Sequence, residues 1–291
     1  MKYFLTGIFF LFSAVLMGQN TILWKVTNNT NKNISYLLGT NHLFGESFVD
    51  SLSIIKDKLQ ETDIVITESK SDNGKGYAYY NTRTSSDTLS TILSKDHFDY
   101  IINHFKKSMS QVDATKLTPG ELFIFLQAGY PKFKCAAINQ GDTSAMDDYV
   151  QYLGQLNKKS LYYFETDSFQ FEKITQITSI YDWKFLKKNL PSLIDKYRNE
   201  KTDEKLCSQI NQYASLAFDY KFGEKCNFLK ANNFNEEIVR KRNADWLPKL
   251  KLFLENNNCF IAVGLGHFYN KCGLIQQLRE IGYNIEPIKM K

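Results

Sequence analysis

Residues 36–46 read YLLGTNHLFGE and residues 260–267 read FIAVGLGH. Each is an apolar run, a glycine, two further residues and then a histidine. The chain has four histidines, and two of them, His42 and His267, occupy this same frame near opposite ends. Imidazole supplies either a proton-transfer group that titrates near neutrality or a neutral metal ligand. The glycines, Gly39 in one frame and Gly264 in the other, let the backbone turn sharply and open space beside a ligand. Two carboxylates follow comparable runs: Glu68 closes DIVITE and Glu165 closes SLYYFE. Two imidazoles and a carboxylate suit a divalent metal with an open position, whose bound water becomes a nucleophile near neutral pH. The same atoms also suit metal-free hydrolysis, with one histidine as general base and a carboxylate orienting it. His97 and His104 lie in an amphipathic stretch without the glycine frame and read as structural.

For these side chains to meet, the elements that carry them must be neighbours. ILWKV (22–26) and SYLLGT (35–40) flank the turn-rich NNTNKN and read as a hairpin. Residues 47–60 carry apolar positions at 48, 52, 54, 55 and 59, which predicts a helix capped by Ser47. DIVITESK (63–70) is a strand, so strand, helix and strand form a βαβ unit with a parallel pair. Residues 71–87 form a polar, turn-rich loop. The period is helical from Leu89 to about Gln127, with Pro119 behind Thr118 marking a helix start. Residues 145–157 read as a helix and 160–166 as a strand. Residues 168–257 are helical in period, interrupted at Pro191 and Pro248. The strand NCFIAVGLG, a helix at 272–281 and the strand NIEPI make a second βαβ unit.

The expected class is α/β (α+β). Its central, mostly parallel sheet is built from N- and C-terminal βαβ units, with a large helical middle insertion at about 89–257 that includes the strand near 160–166. SYLLG and FIAVG are its expected buried centre. Such sheets bind ligands beyond the carboxyl ends of their strands, where His42, Glu68, Glu165 and His267 all fall.

At 291 residues, 43% hydrophobic and 14% aromatic, the chain can bury a sizeable core and does not have a disordered composition. Its 36 basic and 31 acidic residues are mixed along the chain for a net charge of +5, which leaves no nucleic-acid footprint. Lys2, the apolar YFLTGIFFLFSAVLM and the small residues Ala14 and Gly18 read as a signal peptide over 1–18. The mature protein, from Gln19, is then exported, periplasmic or secreted. No later stretch has the roughly 18 uninterrupted apolar residues of a membrane span, so no stable membrane insertion is expected after leader removal. The five cysteines contain no CxxC pair. In an oxidising compartment Cys207 and Cys226, which bracket a helical region, are the expected disulfide, with five buried thiols as the alternative.

Several of these stretches carry a resemblance. ILWKV, YLLGTNHLFG, IVITESK, YYFETDSFQ, RKRNADWLPKL and FIAVGLGHFYNKCGLIQQLREIGYNIEPI resemble, in order, the blocks of the TraB/GumN family, which includes the Tiki-like metalloproteases. The likeness runs from about residue 20 to the C-terminus, and the last block is its most specific part. Asn41, Leu265, Lys271 and Cys272 depart from the usual pattern. The resemblance implies one domain over 19–291 and a secreted, metal-dependent hydrolase acting on a peptide or protein substrate. It maps His42, Glu68 and His267 onto the family's active site, and Arg242 and Glu165 onto further family positions. The implied roles are His42 and His267 holding Mn, Co or Zn, Glu68 as third ligand or general base, and Arg242 neutralising an oxyanion. Two other functions use the same residues. One is a metal-free, esterase-like hydrolase with His42 as base, and the other a non-enzymatic haem- or peptide-binding protein.

Overall fold

Uninterrupted apolar runs are stable as strands only where both faces of a sheet are covered, which places them at its centre. In the computed structural model, which describes residues 20–70, 77–199, 201–226 and 236–290, that is where the two histidine-bearing runs lie. The signal peptide expected at 1–18 and residues 71–76 of the expected loop lie outside the described residues. Six strands, β1 (Leu23–Thr27), β2 (Ser35–Thr40), β3 (Ile64–Thr67), β4 (Ser160–Tyr163), β5 (Cys259–Gly264) and β6 (Asn284–Pro287), form one sheet in the order β4-β3-β5-β2-β1-β6. β5 pairs in parallel with β2 and β3, and β3 with β4, whereas β1 runs antiparallel to β2 and β6. Every residue of β2 is buried, as are Cys259 to Val263 of β5.

The expected class is therefore the observed one. The expected parallel partners are interleaved rather than adjacent. β5 fills the slot between β2 and β3, and β6 pairs with β1. The register aligns Gly39 with Val263 and Thr40 with Gly264, so both glycine–histidine frames leave the sheet at one end. Beyond β3 and β4 the ladder continues, with the Glu165 N–H donating to the Glu68 carbonyl at 2.9 Å.

Three local expectations are corrected. The run at 47–60 is two helices, Glu46–Asp50 and Ser53–Gln60. Ser47 is not a cap: its N–H and hydroxyl donate to Asp142, at 3.2 and 2.9 Å. Pro191 and Pro248 sit inside the helices Trp183–Arg198 and Arg242–Asn256 instead of ending them. An internal proline costs about 3 kcal/mol. Leu186, Leu190 and Ile194, buried along one face of the first helix, offset that at about 1.5–3 kcal/mol each. The disulfides are Cys135–Cys207 and Cys226–Cys272, not Cys207–Cys226, and Cys259 is a buried free thiol. Pairing follows Cα separation, 5.2 and 5.8 Å in these two bridges, and not nearness in sequence.

Thr118 caps the helix Pro119–Lys134 through a reciprocal box with Glu121. The helical middle splits between two apolar cores. Met146, Val150, Trp246 and Leu250 pack with the sheet, whereas Ile101, Phe105, Leu122, Leu126, Leu186 and Leu190 form a separate cluster.

Candidate active site

Arg242 opens its helix, so Arg242, Asn243 and Trp246 face inward together and all three are buried. The guanidinium is the hub of the cluster at the strand ends. Its Nε donates to Glu165 Oε1 at 2.7 Å, and its Nη2 to Glu68 Oε2 at 2.5 Å and Glu165 Oε2 at 2.9 Å. Its Nη1 donates to the Ile238 carbonyl at 3.1 Å and stands 3.4 Å from His267 Nε2. All five N–H donors of the side chain therefore face an acceptor. The ring of Trp246 lies under the guanidinium at 4.6 Å and donates its Nε1–H to Glu165 Oε1 at 3.0 Å. Gln170 adds a donation to Glu165 Oε2 at 3.3 Å.

Glu68 accepts from the Gly264 N–H at 2.7 Å, and its Oε1 is 3.6 Å from His267 Nε2. A Cβ on Gly264 would stand 3.2 Å from that same oxygen and would crowd it. Gly39 serves its frame differently. Its missing Cβ would fall 2.5 Å from Leu265 Cδ1, so its absence lets the His267 loop lie on β2. The His267 ring lies tilted by 30° against Trp246 at 4.5 Å and reaches Asn243 Oδ1 through Nδ1 at 2.6 Å.

His42 stands apart from this cluster. Its ring is 70% exposed, and Nδ1 lies 2.8 Å from Oδ2 of Asp147, a side chain only 11% exposed. Among the described residues no hydrogen bond joins His42 to Glu68 or His267, although the Glu68 charge still acts on it. His42 borders a small hollow of about 90 Å³ with Leu43, Asp142 and Ser144. A larger depression of about 380 Å³ adjoins that hollow through Thr143 and Ser144, another of about 420 Å³ lies away from it, and neither is lined by the Arg242 cluster.

The electrostatics separate the two histidines. Although the His42 ring faces solvent, the Asp147 carboxylate, helped by Glu68 and Asp148, pushes it up to about 9. Burial, with help from Arg242 and against Glu68, pushes His267 down to about 4. Burial also opposes ionisation of Glu68, but His267, Arg242, His42 and the Gly264 N–H outweigh it and hold the carboxyl at about 2. At neutral pH the site thus presents an imidazolium at His42, a neutral imidazole at His267 and a carboxylate at Glu68.

The other two histidines are structural: His97 pairs with Asp195 at 3.1 Å, and His104 packs against Phe133 and Tyr197. Asp147, Asn243 and Trp246 were given no role by the sequence. For Asp147 the signal is thin, one of two adjacent aspartates in the first turn of the helix Met146–Leu156. Its distinction is structural: Oδ1 is buried with no hydrogen-bond partner among the described residues.

A cation shared by His42, Glu68 and His267 does not fit the arrangement these residues adopt. Both Glu68 oxygens already accept, one from Arg242, and the guanidinium lies where it would repel a divalent ion from His267 Nε2. The spare Asp147 oxygen beside His42 makes two donor residues, short of the three protein ligands of a catalytic zinc site. Among the described residues no three His, Cys, Asp or Glu side chains gather to hold a metal ion.

Comparison with curated proteins and with solved structures gave no match. The model of the TraB/PrgY/gumN family matches residues 22–287, a span that takes in five strands and β6, both glycine–histidine frames and every side chain around Arg242. The chain belongs to the TraB/PrgY/gumN family.

Proposed function

We propose that this protein is an exported hydrolase of peptide bonds that works by histidine acid–base chemistry around Arg242. One observation carries this reading: two histidines leave matched strand ends in environments that move them in opposite directions, and one of them, His267, lies against a carboxylate-bound arginine. Pairs of titratable groups pushed apart in this way divide naturally into an acid and a base. His267, neutral, takes a proton from water as the water attacks the scissile carbonyl. Arg242 Nη1, whose contacts at 3.1 and 3.4 Å are the longest of the guanidinium, turns to the developing oxyanion. His42, charged and held by Asp147, gives its proton to the leaving amine. Glu68 and Glu165 keep the guanidinium in place throughout.

Export belongs to the same proposal. Two disulfides within one chain support an oxidising compartment. Among the described residues no helix is long and apolar enough to cross a membrane. Mass spectrometry of the exported protein should find a chain starting at or near Gln19, and an intact Met1 would reject export by this leader.

The rival is a Mn-, Co- or Zn-dependent form of the same hydrolysis. The separating experiment treats the protein with chelator, assays it against a peptide library, and repeats the assay with His42→Asn and His267→Asn. Retained cleavage in the chelated protein, with losses of about 10²–10⁴-fold in each variant, is expected. Full activity in either variant overturns the assignment of that histidine.

A further inference from the structure

Asn243 is wholly buried behind the His267 ring. Its Nδ2 lies 3.1 Å from the His267 carbonyl oxygen and 2.8 Å from that of Cys272. Carbonyl oxygens only accept, so the atom between them must be the NH2 group. That fixes which end of the amide is which, and Oδ1 is the atom 2.6 Å from His267 Nδ1. An amide oxygen also only accepts, so Nδ1 carries the hydrogen. In a neutral imidazole the lone pair then belongs to Nε2.

The far side of the ring agrees independently. Nε2 stands 3.4 Å from Arg242 Nη1, which can only donate, and a hydrogen on Nε2 would point at another hydrogen. Glu68 Oε1, 3.6 Å from Nε2, favours the opposite tautomer. Something must therefore hold the hydrogen on Nδ1 against that carboxylate.

We propose that Asn243 is a positioning residue that locks His267 in its Nδ1–H tautomer and so aims the Nε2 lone pair at the reacting side of the site. The catalytic consequence rests on His267 acting as the base, but the tautomer itself does not. Imidazoles held in the wrong tautomer lose up to about 10⁴-fold in kcat. Because Asn243 also ties down both ends of the 267–272 loop, its replacement costs stability, and melting alone cannot test the proposal.

The experiment is nitrogen NMR of the full chain with labelled histidine at neutral pH, the His267 signals being those lost in His267→Gln. The wild type should show a protonated Nδ1 and a bare Nε2. Asn243→Ala should move hydrogen to Nε2 and lower kcat more than it changes KM. Asn243→Asp keeps an acceptor facing Nδ1 and should keep the hydrogen on Nδ1. A wild-type ring with a bare Nδ1, or a folded Asn243→Ala variant with the wild-type pattern, overturns the proposal. If Asn243→Ala does not fold, the wild-type spectrum and Asn243→Asp still decide. The expected tautomer in a protein that cleaves nothing would leave the lock standing and sink the hydrolase.

Discussion

Glu68 has two neighbours that the sequence could not pair with it: Arg242, 174 positions away, and the Gly264 N–H. Read from sequence alone, a glutamate past its strand should tolerate the amide of Glu68→Gln with folding nearly intact. The structure changes that expectation. Gln keeps the shape but removes one of the two charges that hold a buried guanidinium, which should cost about 1–3 kcal/mol of stability. Hydrolysis should fall by at least tenfold, because Arg242 is then free to tilt toward Glu165. Thermal melting and kcat on one preparation check both, and unchanged values would remove Glu68 from the site. At this scale the strand-end position made Glu68, Glu165, His42 and His267 legible, since a polar residue after an apolar run has a cleft to face. Asp147 was not legible: a helix-start aspartate looks the same whether it meets solvent or a histidine 105 positions away.

Strands β2 and β5 bring the two frames together, and their glycines are specific about why. Gly264→Ala would put a methyl group 3.2 Å from Glu68 Oε1, where only a shift of a few tenths of an ångström relieves it. Stability should fall by about 1 kcal/mol, the low end for overpacking, while activity falls more than tenfold as Glu68 leaves the Gly264 N–H. Melting and rate measured together separate this outcome from general unfolding, which would lower both in step. The strands themselves were readable because apolar runs and flanking turns leave little choice. Their order was not, since an apolar run says that a strand is central without saying which strands flank it. The prolines at 191 and 248 misled for a related reason: their local cost is visible in sequence, and the burial that outweighs it is not.

Across the whole molecule, the two disulfides tie the helical middle to itself and to the site. Cys135–Cys207 joins the end of the helix Pro119–Lys134 to the helix Glu204–Ala214, and Cys226–Cys272 anchors the loop that follows His267. Opening Cys135–Cys207 by Cys207→Ser should cost about 2–4 kcal/mol, read as a lower melting temperature under non-reducing conditions. No change on mutation would mean that the bridge does not form in the folded protein.

The most direct test of the two-histidine site is the pH dependence of kcat/KM for a cleaved peptide, measured on chelator-treated protein. His267 must be neutral and His42 charged. His267, lowered to about 4, is neutral above that pH, and His42, raised to about 9, is charged below it. The rate should rise through about pH 4, hold a plateau and fall through about pH 9. Asp147→Asn removes the main cause of the His42 shift, so its upper limb should move down toward the ordinary histidine value of 6.5 while the lower limb stays. A profile whose upper limb ignores Asp147, or activity that vanishes on chelation and returns only with Mn, Co or Zn, would contradict the histidine acid–base site.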